Sequence, residues 1–374
     1  MNVGIDITPI AYGRGVSRYT SNIVDALSKQ PLSLSLFGVG WGTYGLLQKY
    51  TQQFQHANKI STAVIKRPLK IHEYSWHYGL SSVRSYLPTI NVFHSWDWLQ
   101  PPDKDLPLVS TIHDLAILKY PETAHPDVLQ HHQASWDILK KRQAHIVTVS
   151  QSTKKDICTL LDIPSQKITV IPEALPVETR VASALLTEEL LAKTQQKLPL
   201  DKPFILAVGT REPRKNLLRL MQAWQPLAKD VDLLIAGEAG WDDSQTKALS
   251  LQHQPRFLGK VSDLELAVLY GEAEAFVYPS LDEGFGLPIL EAFHHGTPVV
   301  TSNCSAMPEV AGNAAVLIDP VSVDSITAGI TQILGENQEQ QRERLQKMII
   351  RLHLFSWDKA AKQLCDVYTV ASHL

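Results

Sequence analysis

The stretch Tyr278-Pro279-Ser280-Leu281-Asp282-Glu283-Gly284-Phe285-Gly286-Leu287-Pro288-Ile289-Leu290-Glu291-Ala292 holds a strand end, an acidic glycine loop and a helix start. The apolar run Ala275–Tyr278 predicts the strand. Leu287–His295 predicts the helix, with Pro288 in the first turn, where a missing N–H is tolerated. Gly284 and Gly286 permit positive φ and let backbone N–H groups come close to a ligand. The free N–H groups of such a helix start form a partial positive pole that favours an anion, for instance a diphosphate. Glu283 before the helix and Glu291 inside it can then lie at opposite ends of one extended ligand, as acceptors for paired sugar hydroxyls. Taken singly, each glutamate is better explained as a first-turn helix acid or a solvated surface residue. The pair with the glycine loop between them favours a site.

The same alternation runs outward in both directions. Upstream lie Phe204–Val208 (strand), Asn216–Leu227 (helix), Val231–Ala236 and Arg256–Leu258 (strands) and Ser262–Tyr270 (helix). Downstream follow Pro298–Thr301 and Ala315–Ile318 (strands), Asp324–Leu334 (helix) and an amphipathic tail, Phe355–Val370. A break at Pro172–Pro199, with prolines 172, 176 and 199 around the helix-favouring Thr187–Leu198, reads as a linker and first surface helix. Before it, strand Asn2–Asp6 and turn Thr8–Gly15 precede Val16, Tyr19, Ile23, Val24 and Leu27 at helical spacing. Further strands are expected at Ser33–Phe37, Ala63–Ile65, Thr89–Phe93, Leu108–Ile112, Ile146–Val149 and Ile168–Val170, with helices at Pro126–Ala144 and Gln151–Leu161. Strands alternating with helices predict parallel sheets covered on both faces. The economical reading is α/β: two doubly wound domains, 1–172 and 173–354, facing a cleft, with 355–374 free to pack back on the first. Ligands in such sheets bind at the carboxyl ends of the strands.

Composition narrows the function. The chain has 374 residues, 35 Lys+Arg and 38 Asp+Glu, a net charge of −3. A duplex-coating nucleic-acid binder needs an excess of cations, so no nucleic-acid partner is expected. Hydrophobic residues at 44% and charged residues at 20% suit globular cores. No run approaches the ~20 apolar residues of a membrane span. The start MNVGIDITPIAYGRG lacks a basic flank followed by an apolar core. Cys158, Cys304 and Cys365 are odd in number and in no CxxC spacing, so neither disulfides nor a cysteine zinc site is expected. A cytoplasmic location follows as the default.

Three further segments carry candidate chemistry. Val208-Gly209-Thr210-Arg211-Glu212-Pro213-Arg214-Lys215-Asn216 places three cations in the first loop of the second domain, apt for two phosphates. The plainer reading is a solvated charged loop with Asn216 as helix cap. Val109-Ser110-Thr111-Ile112-His113-Asp114-Leu115 puts His113 at the carboxyl end of a buried strand, where it should face the cleft. The chain has 14 histidines, so that residue alone argues little; His131 and His132 read as helix surface. Trp76–Tyr78 and Trp96–Trp98 can stack on sugar rings or fill cores. No HExxH or Cys/His cluster suggests a protein-bound metal. Gly13-Arg14-Gly15 is not GxGxxG, no acid follows at the nicotinamide-binding spacing, and GxxxxGK[ST] is absent. A dehydrogenase and a P-loop NTPase are both disfavoured.

Glu283-Gly-Phe-Gly-Leu-Pro-Ile-Leu-Glu291 resembles the E-x7-E motif of the retaining GT-B glycosyltransferases of family 4 (group 1). Phe257–Asp263, His295–Val300, Met307–Gly312 and Glu212–Asn216 are similar to the rest of that family's donor domain. Thr111–Leu115 with Tyr120-Pro121-Glu122 resembles its mannosyltransferase-like branch. The resemblance implies two Rossmann-like domains and retaining transfer of a hexose from a nucleotide diphosphate sugar. It implies that Glu291 holds the ribose, Glu283 the sugar hydroxyls, and the backbone of Gly284, Phe285, Gly286 and Leu287 the sugar and phosphates. Lys215 with Arg214 or Arg211 would neutralise the diphosphate. Lys260 and Val261 would line the base, His113 would meet the sugar, and Gly15 would meet the phosphates. The family pattern has further glycines where this chain has Arg14 and Ser17, and arginine where it has Thr210. Lys215 therefore ranks above Arg211.

The expected mechanism is front-face substitution, with cations and the helix pole holding the leaving charge in place of a metal. The resemblance favours GDP-mannose, with UDP-glucose and UDP-N-acetylglucosamine behind, and a glycan or lipid-linked acceptor. A lipid-linked acceptor would bring peripheral contact with the inner face of the membrane. Alternatives are a sugar-nucleotide epimerase or phosphorylase on the same architecture, and a non-catalytic nucleotide-sugar-binding subunit of a polysaccharide assembly. The sequence does not fix the oligomeric state.

Overall fold

The computed structural model describes residues 1–13, 15–121, 126–198, 200–240 and 251–373. Arg14 and Glu122, both part of the motifs above, lie outside the described residues. The chain divides into two compact units: Met1–Leu115, Ala124–Glu173 and Ser356–Leu374 in one, Ala116–Thr123 and Ala174–Phe355 in the other.

The first unit is built on seven strands: β1 (Asn2–Asp6), β2 (Ser33–Val39), β3 (Ile60–Ile65), β4 (Val92–Trp96), β5 (Leu108–Ile112), β6 (His145–Thr148) and β7 (Ile168–Val170). Their order is β3-β2-β1-β4-β5-β6-β7, with every pairing parallel. Val3, Ile5, Val92, Phe93, Val109, Ile112, Ile146 and Val147 are buried, as expected for central strands covered on both faces. β4 begins and ends three residues later than Thr89–Phe93. Its last residues, His94-Ser95-Trp96, carry two polar groups that hide the strand from a hydrophobicity reading. Both are satisfied inside: His94 meets the Tyr368 hydroxyl at 2.6 Å and Thr111 Oγ1 at 2.8 Å, and Ser95 donates to Gln100 at 2.6 Å. Tyr368 belongs to the C-terminal helix Trp357–Ser372, which packs on the helix Gly15–Leu27, with the Tyr19 and Trp357 rings 5.6 Å apart.

The second unit is built on β8 (Phe204–Val208), β9 (Asp232–Ala236), β10 (Arg256–Gly259), β11 (Ala275–Tyr278), β12 (Val299–Ser302) and β13 (Val316–Ile318), in the order β10-β9-β8-β11-β12-β13 and again parallel. Its core gathers Ile205, Leu220, Met221, Trp224, Leu233, Ile235, Val277 and Val300 with Ile326 and Ile330. The helix expected over Asn216–Leu227 is α-helical only over Leu217–Trp224, then tightens to a 3-10 turn, Gln225–Leu227, at Pro226. In each sheet the chain leaves the first strand to one side and returns on the other. The switch points are β1/β4 and β8/β11, where doubly wound sheets bind ligands.

Trp76 and Trp96 are buried. Trp76 stacks on Phe37 at 5.6 Å, and Trp96 donates to the Asp6 carbonyl at 2.8 Å, so both fill the core and offer no ring to a sugar. His132, expected at the surface, is only partly exposed and pairs with Asp97 Oδ2 at 3.2 Å.

Candidate active site

The loops after β8 and β11 emerge side by side at the second switch point and are stitched together. Leu281 N donates to Arg214 O at 2.8 Å, and Asn216 Nδ2 donates to Pro279 O at 3.0 Å and Pro320 O at 2.6 Å. Asn216 therefore holds two loops to its own and makes no side-chain cap, a correction to the cap reading. Gly209 has φ +143, and a Cβ there would lie 3.3 Å from Lys215 Cε, so the glycine leaves room for the lysine stem. Lys215 is thereby laid across the site rather than out into solvent.

Its ammonium donates to Glu283 Oε1 at 2.6 Å and to the Tyr278 hydroxyl at 3.0 Å, and sits 5.1 Å over the Tyr278 ring. Arg214 donates to Glu283 Oε2 at 2.7 Å, to Asp282 O at 3.1 Å and to Glu212 Oε2 at 3.1 Å. Burial alone would raise the Glu283 carboxyl, but the Arg214 and Lys215 charges beside it hold it down at about 2. Burial pulls the Lys215 ammonium below its ordinary value, with Glu283 opposing. Both cations expected on a diphosphate are thus brought onto one of the two glutamates.

Gly286, with φ +104, opens the helix Leu287–His294, a conformation that favours glycine. On that helix Glu291 is buried, accepting from Thr179 Oγ1 at 3.2 Å and from the Tyr270 hydroxyl at 3.3 Å. Neither glutamate is a solvated surface acid. The Phe285 ring packs edge-on against Phe355 at 5.5 Å, fixing the loop between them. Arg211 lies over the Phe257 ring at 5.0 Å, and its backbone bridges to Ala239, so its guanidinium is engaged on the edge strand β10. Lys260 and Val261 follow the edge strand β10, with Lys260 exposed and 3.6 Å from Glu238. Among the described residues no three His, Cys, Asp or Glu side chains gather as a metal site would require.

In the first unit His113 follows β5, and its Nδ1 lies 3.2 Å from Glu173 Oε1, while no partner meets its buried Nε2. Its ring is fixed edge-on to Tyr19 at 4.6 Å and stacked on Trp96 at 6.0 Å. Burial opposes its protonation, but the Glu173 hydrogen bond and the charges of Glu173, Asp97 and Asp114 raise its pKa. Gly15 starts the helix Gly15–Leu27 with open space around it. Ser17 donates its hydroxyl to Ile10 O at 2.7 Å.

Residues 190–350 match the family model of the glycosyl transferases group 1, and residues 13–179 match that of glycosyltransferase family 4. The O-antigen chain mannosyltransferase B of Escherichia coli is 34% identical over 275 residues, an alignment covering 70% of this chain and 69% of that protein. The chain belongs to the family 4, group 1 glycosyltransferases. The O-antigen chain mannosyltransferase RfbU of Salmonella typhimurium is 30% identical over 227 residues, covering 60% of each. Among solved structures, the sucrose-phosphate synthase of Thermosynechococcus elongatus aligns at TM-score 0.71 and 18% identity, over 99% of this chain and 98% of that one. Anabaena HepE, solved with UDP-glucose, aligns at 0.71 and 16%, over 99% and 100%. At these identities they show the shared GT-B fold.

In this glycosyltransferase a brace behind Glu283 escaped the sequence reading. Ser305 Oγ accepts from Glu283 N at 3.1 Å and lies 2.9 Å from Glu283 O and 2.8 Å from Asp282 Oδ1. Lys119 donates to the same Asp282 oxygen at 2.7 Å. Ser305 sits at φ +55, a left-handed backbone that a serine adopts only when its surroundings hold it there. Nothing in the spacing of a serine after β12 signals such a role. Glu173, the partner of His113, was equally hidden, since it meets the histidine only across the sheet.

Proposed function

We propose that this glycosyltransferase transfers a mannosyl residue from GDP-mannose to a glycan or lipid-linked acceptor, with retention at the anomeric carbon and without a protein-bound metal. One observation carries the donor assignment: Glu283 is held between Arg214 and Lys215 at a switch point, beside a helix start whose N–H groups favour an anion. A carboxylate has about four acceptor sites. With two taken by the cations and a further contact from the Tyr278 hydroxyl, the remaining capacity is offered to the hydroxyls of a hexose. A diphosphate at the helix start would share the Lys215 and Arg214 donors, so the departing phosphate charge is met by groups already in place. Glu291, ordered by Thr179 and Tyr270, offers its carboxylate to a ribose.

In the reaction the C1–O bond to the diphosphate breaks as the acceptor oxygen bonds C1 on the same face. The departing phosphate oxygen takes the acceptor proton. The positioning of the sugar is assigned to His113, held by Glu173. Mannose is supported by relatives named as O-antigen chain mannosyltransferases in Escherichia coli and Salmonella typhimurium, whose names also support a glycan acceptor.

The test is incubation of the purified protein with GDP-mannose alone, with free sugar followed by NMR. Slow release of mannose, first seen as the α anomer, is the expected result. Binding without release would make the protein a nucleotide-sugar-binding subunit. Release from UDP-glucose but not GDP-mannose would overturn the donor assignment.

A further inference from the structure

Arg351 lies near the end of the helix Gln338–Leu354, which packs on the helix Leu287–His294 that carries Glu291. It is half-buried and no carboxylate among the described residues pairs with it, so burial alone pulls its guanidinium below the ordinary value. A charge withdrawn from water without a counter-ion costs free energy, which its other contacts must offset. Its Nε donates to Val310 O at 2.8 Å, and the second arm of the fork reaches Glu309 O. Both carbonyls belong to the short helix Met307–Ala311, where Pro308 O and Ala311 O on either side of them take Gly312 N and Ala314 N. Gly312, at φ +55, makes the room, since a Cβ there would lie 3.0 Å from Arg351 Nε. The same guanidinium lies 5.3 Å over the Phe355 ring.

Both contacts lead to the loop of Glu283. Ser305, just before the helix Met307–Ala311, holds the Glu283 backbone through its N and O. Phe355 meets the Phe285 ring edge-on at 5.5 Å. We infer that Arg351 is a positioning residue for donor binding, holding the loop Glu283–Gly286 in the shape that receives a nucleotide sugar. The inference rests on reading that loop as the donor site. Without Arg351 the loop spends less time in the receptive shape, and apparent donor affinity falls by that fraction. Lysine is no substitute, because one ammonium lacks the planar fork that meets two carbonyls while covering a ring.

The experiment is hydrogen–deuterium exchange on the ligand-free full chain, paired with the kinetics of GDP-mannose hydrolysis. Arg351→Ala should speed exchange ~10-fold at the amides of residues 283–287 and 305–306, the scale of one lost hydrogen bond to a charged group, and leave β8 and β11 as in wild type. KM for GDP-mannose should rise by a similar ~10-fold while kcat holds, because bound donor restores the loop. Millimolar guanidinium chloride, but not sodium chloride, should bring that KM back. Arg351→Lys should recover little of it. Phe355→Leu keeps an apolar side chain in place and should loosen residues 285–287 but not 305–306. Arg342→Met, exposed on the same helix, should change nothing. Loop exchange unchanged in both Arg351→Ala and Phe355→Leu, exchange raised throughout the second unit, or a KM that guanidinium does not restore would overturn the inference. If wild type releases no mannose, the donor assignment falls, whereas the exchange data still decide whether Arg351 holds the loop.

Discussion

Lys215 and Glu283, 68 residues apart in sequence, meet at 2.6 Å through loops that leave adjacent strands of one sheet. The lysine reaches inward because Gly209 has no side chain to block its stem. The glutamate meets it because Leu281 N and Asn216 Nδ2 tie the two loops. The pair is a product of topology: β8 and β11 lie side by side only because the chain reverses direction across the sheet.

Removing either partner should therefore cost turnover and not only affinity. Lys215→Ala and Glu283→Ala are each expected to lower kcat by ~100-fold or more, the scale of losing one preorganised electrostatic group. Steady-state kinetics on variants with wild-type circular dichroism decide it. Unchanged kcat in either would remove that residue from the site.

The same ion pairs make an acid-stability signature. Glu283 titrates at about 2 in the fold against an ordinary 4.5, so its contribution is complete above pH 4.5 and is lost as pH falls toward 2. Wild type should melt above Glu283→Gln at pH 6, with the gap closing between pH 4.5 and 2. A gap independent of pH would show that the carboxylate charge is not what Arg214 and Lys215 stabilise.

His113 titrates the other way. Its pKa is raised in the fold, so the Glu173 pair stabilises fully below the ordinary histidine value of 6.5 and is lost as pH rises through the raised value. Glu173→Gln should lower the His113 pKa, read from its ring carbon shifts by NMR. The alkaline limb of the pH–rate profile should move down with it. An unmoved pKa would mean that Asp97 and Asp114, not Glu173, hold the proton.

Much of this was legible in the sequence, for identifiable reasons. β1, β5, β7, β8 and β11 fell on the expected residues because each is a short apolar run bounded by turn residues. The helix Gln338–Leu354 is not among the expected elements, although Leu345, Met348, Ile349 and Leu352 recur at helical spacing; only Met348 is buried in it. Glu283, Glu291 and Lys215 could be read because glycines and a helix-start proline frame them. Ser305, Asp282 and Glu173 could not, because their roles arise from contacts across strands that no local pattern records.

Ser305 separates positioning from packing. Ser305→Gly keeps the left-handed backbone cheap and removes only the hydroxyl, whereas Ser305→Ala also strains the chain. Both should lose roughly tenfold in kcat, the value of about 1.4 kcal/mol of hydrogen bonding to the Glu283 segment. The alanine variant should also melt lower. Wild-type kcat in the glycine variant would reduce Ser305 to a turn residue.

The most direct measurement is a crystal structure with GDP-mannose bound. The diphosphate should lie within hydrogen-bond reach of Lys215 and Arg214 at the Gly286 helix start, the ribose at Glu291 and the hexose hydroxyls at Glu283. A nucleotide sugar seated on the protein without touching those four side chains would contradict the account.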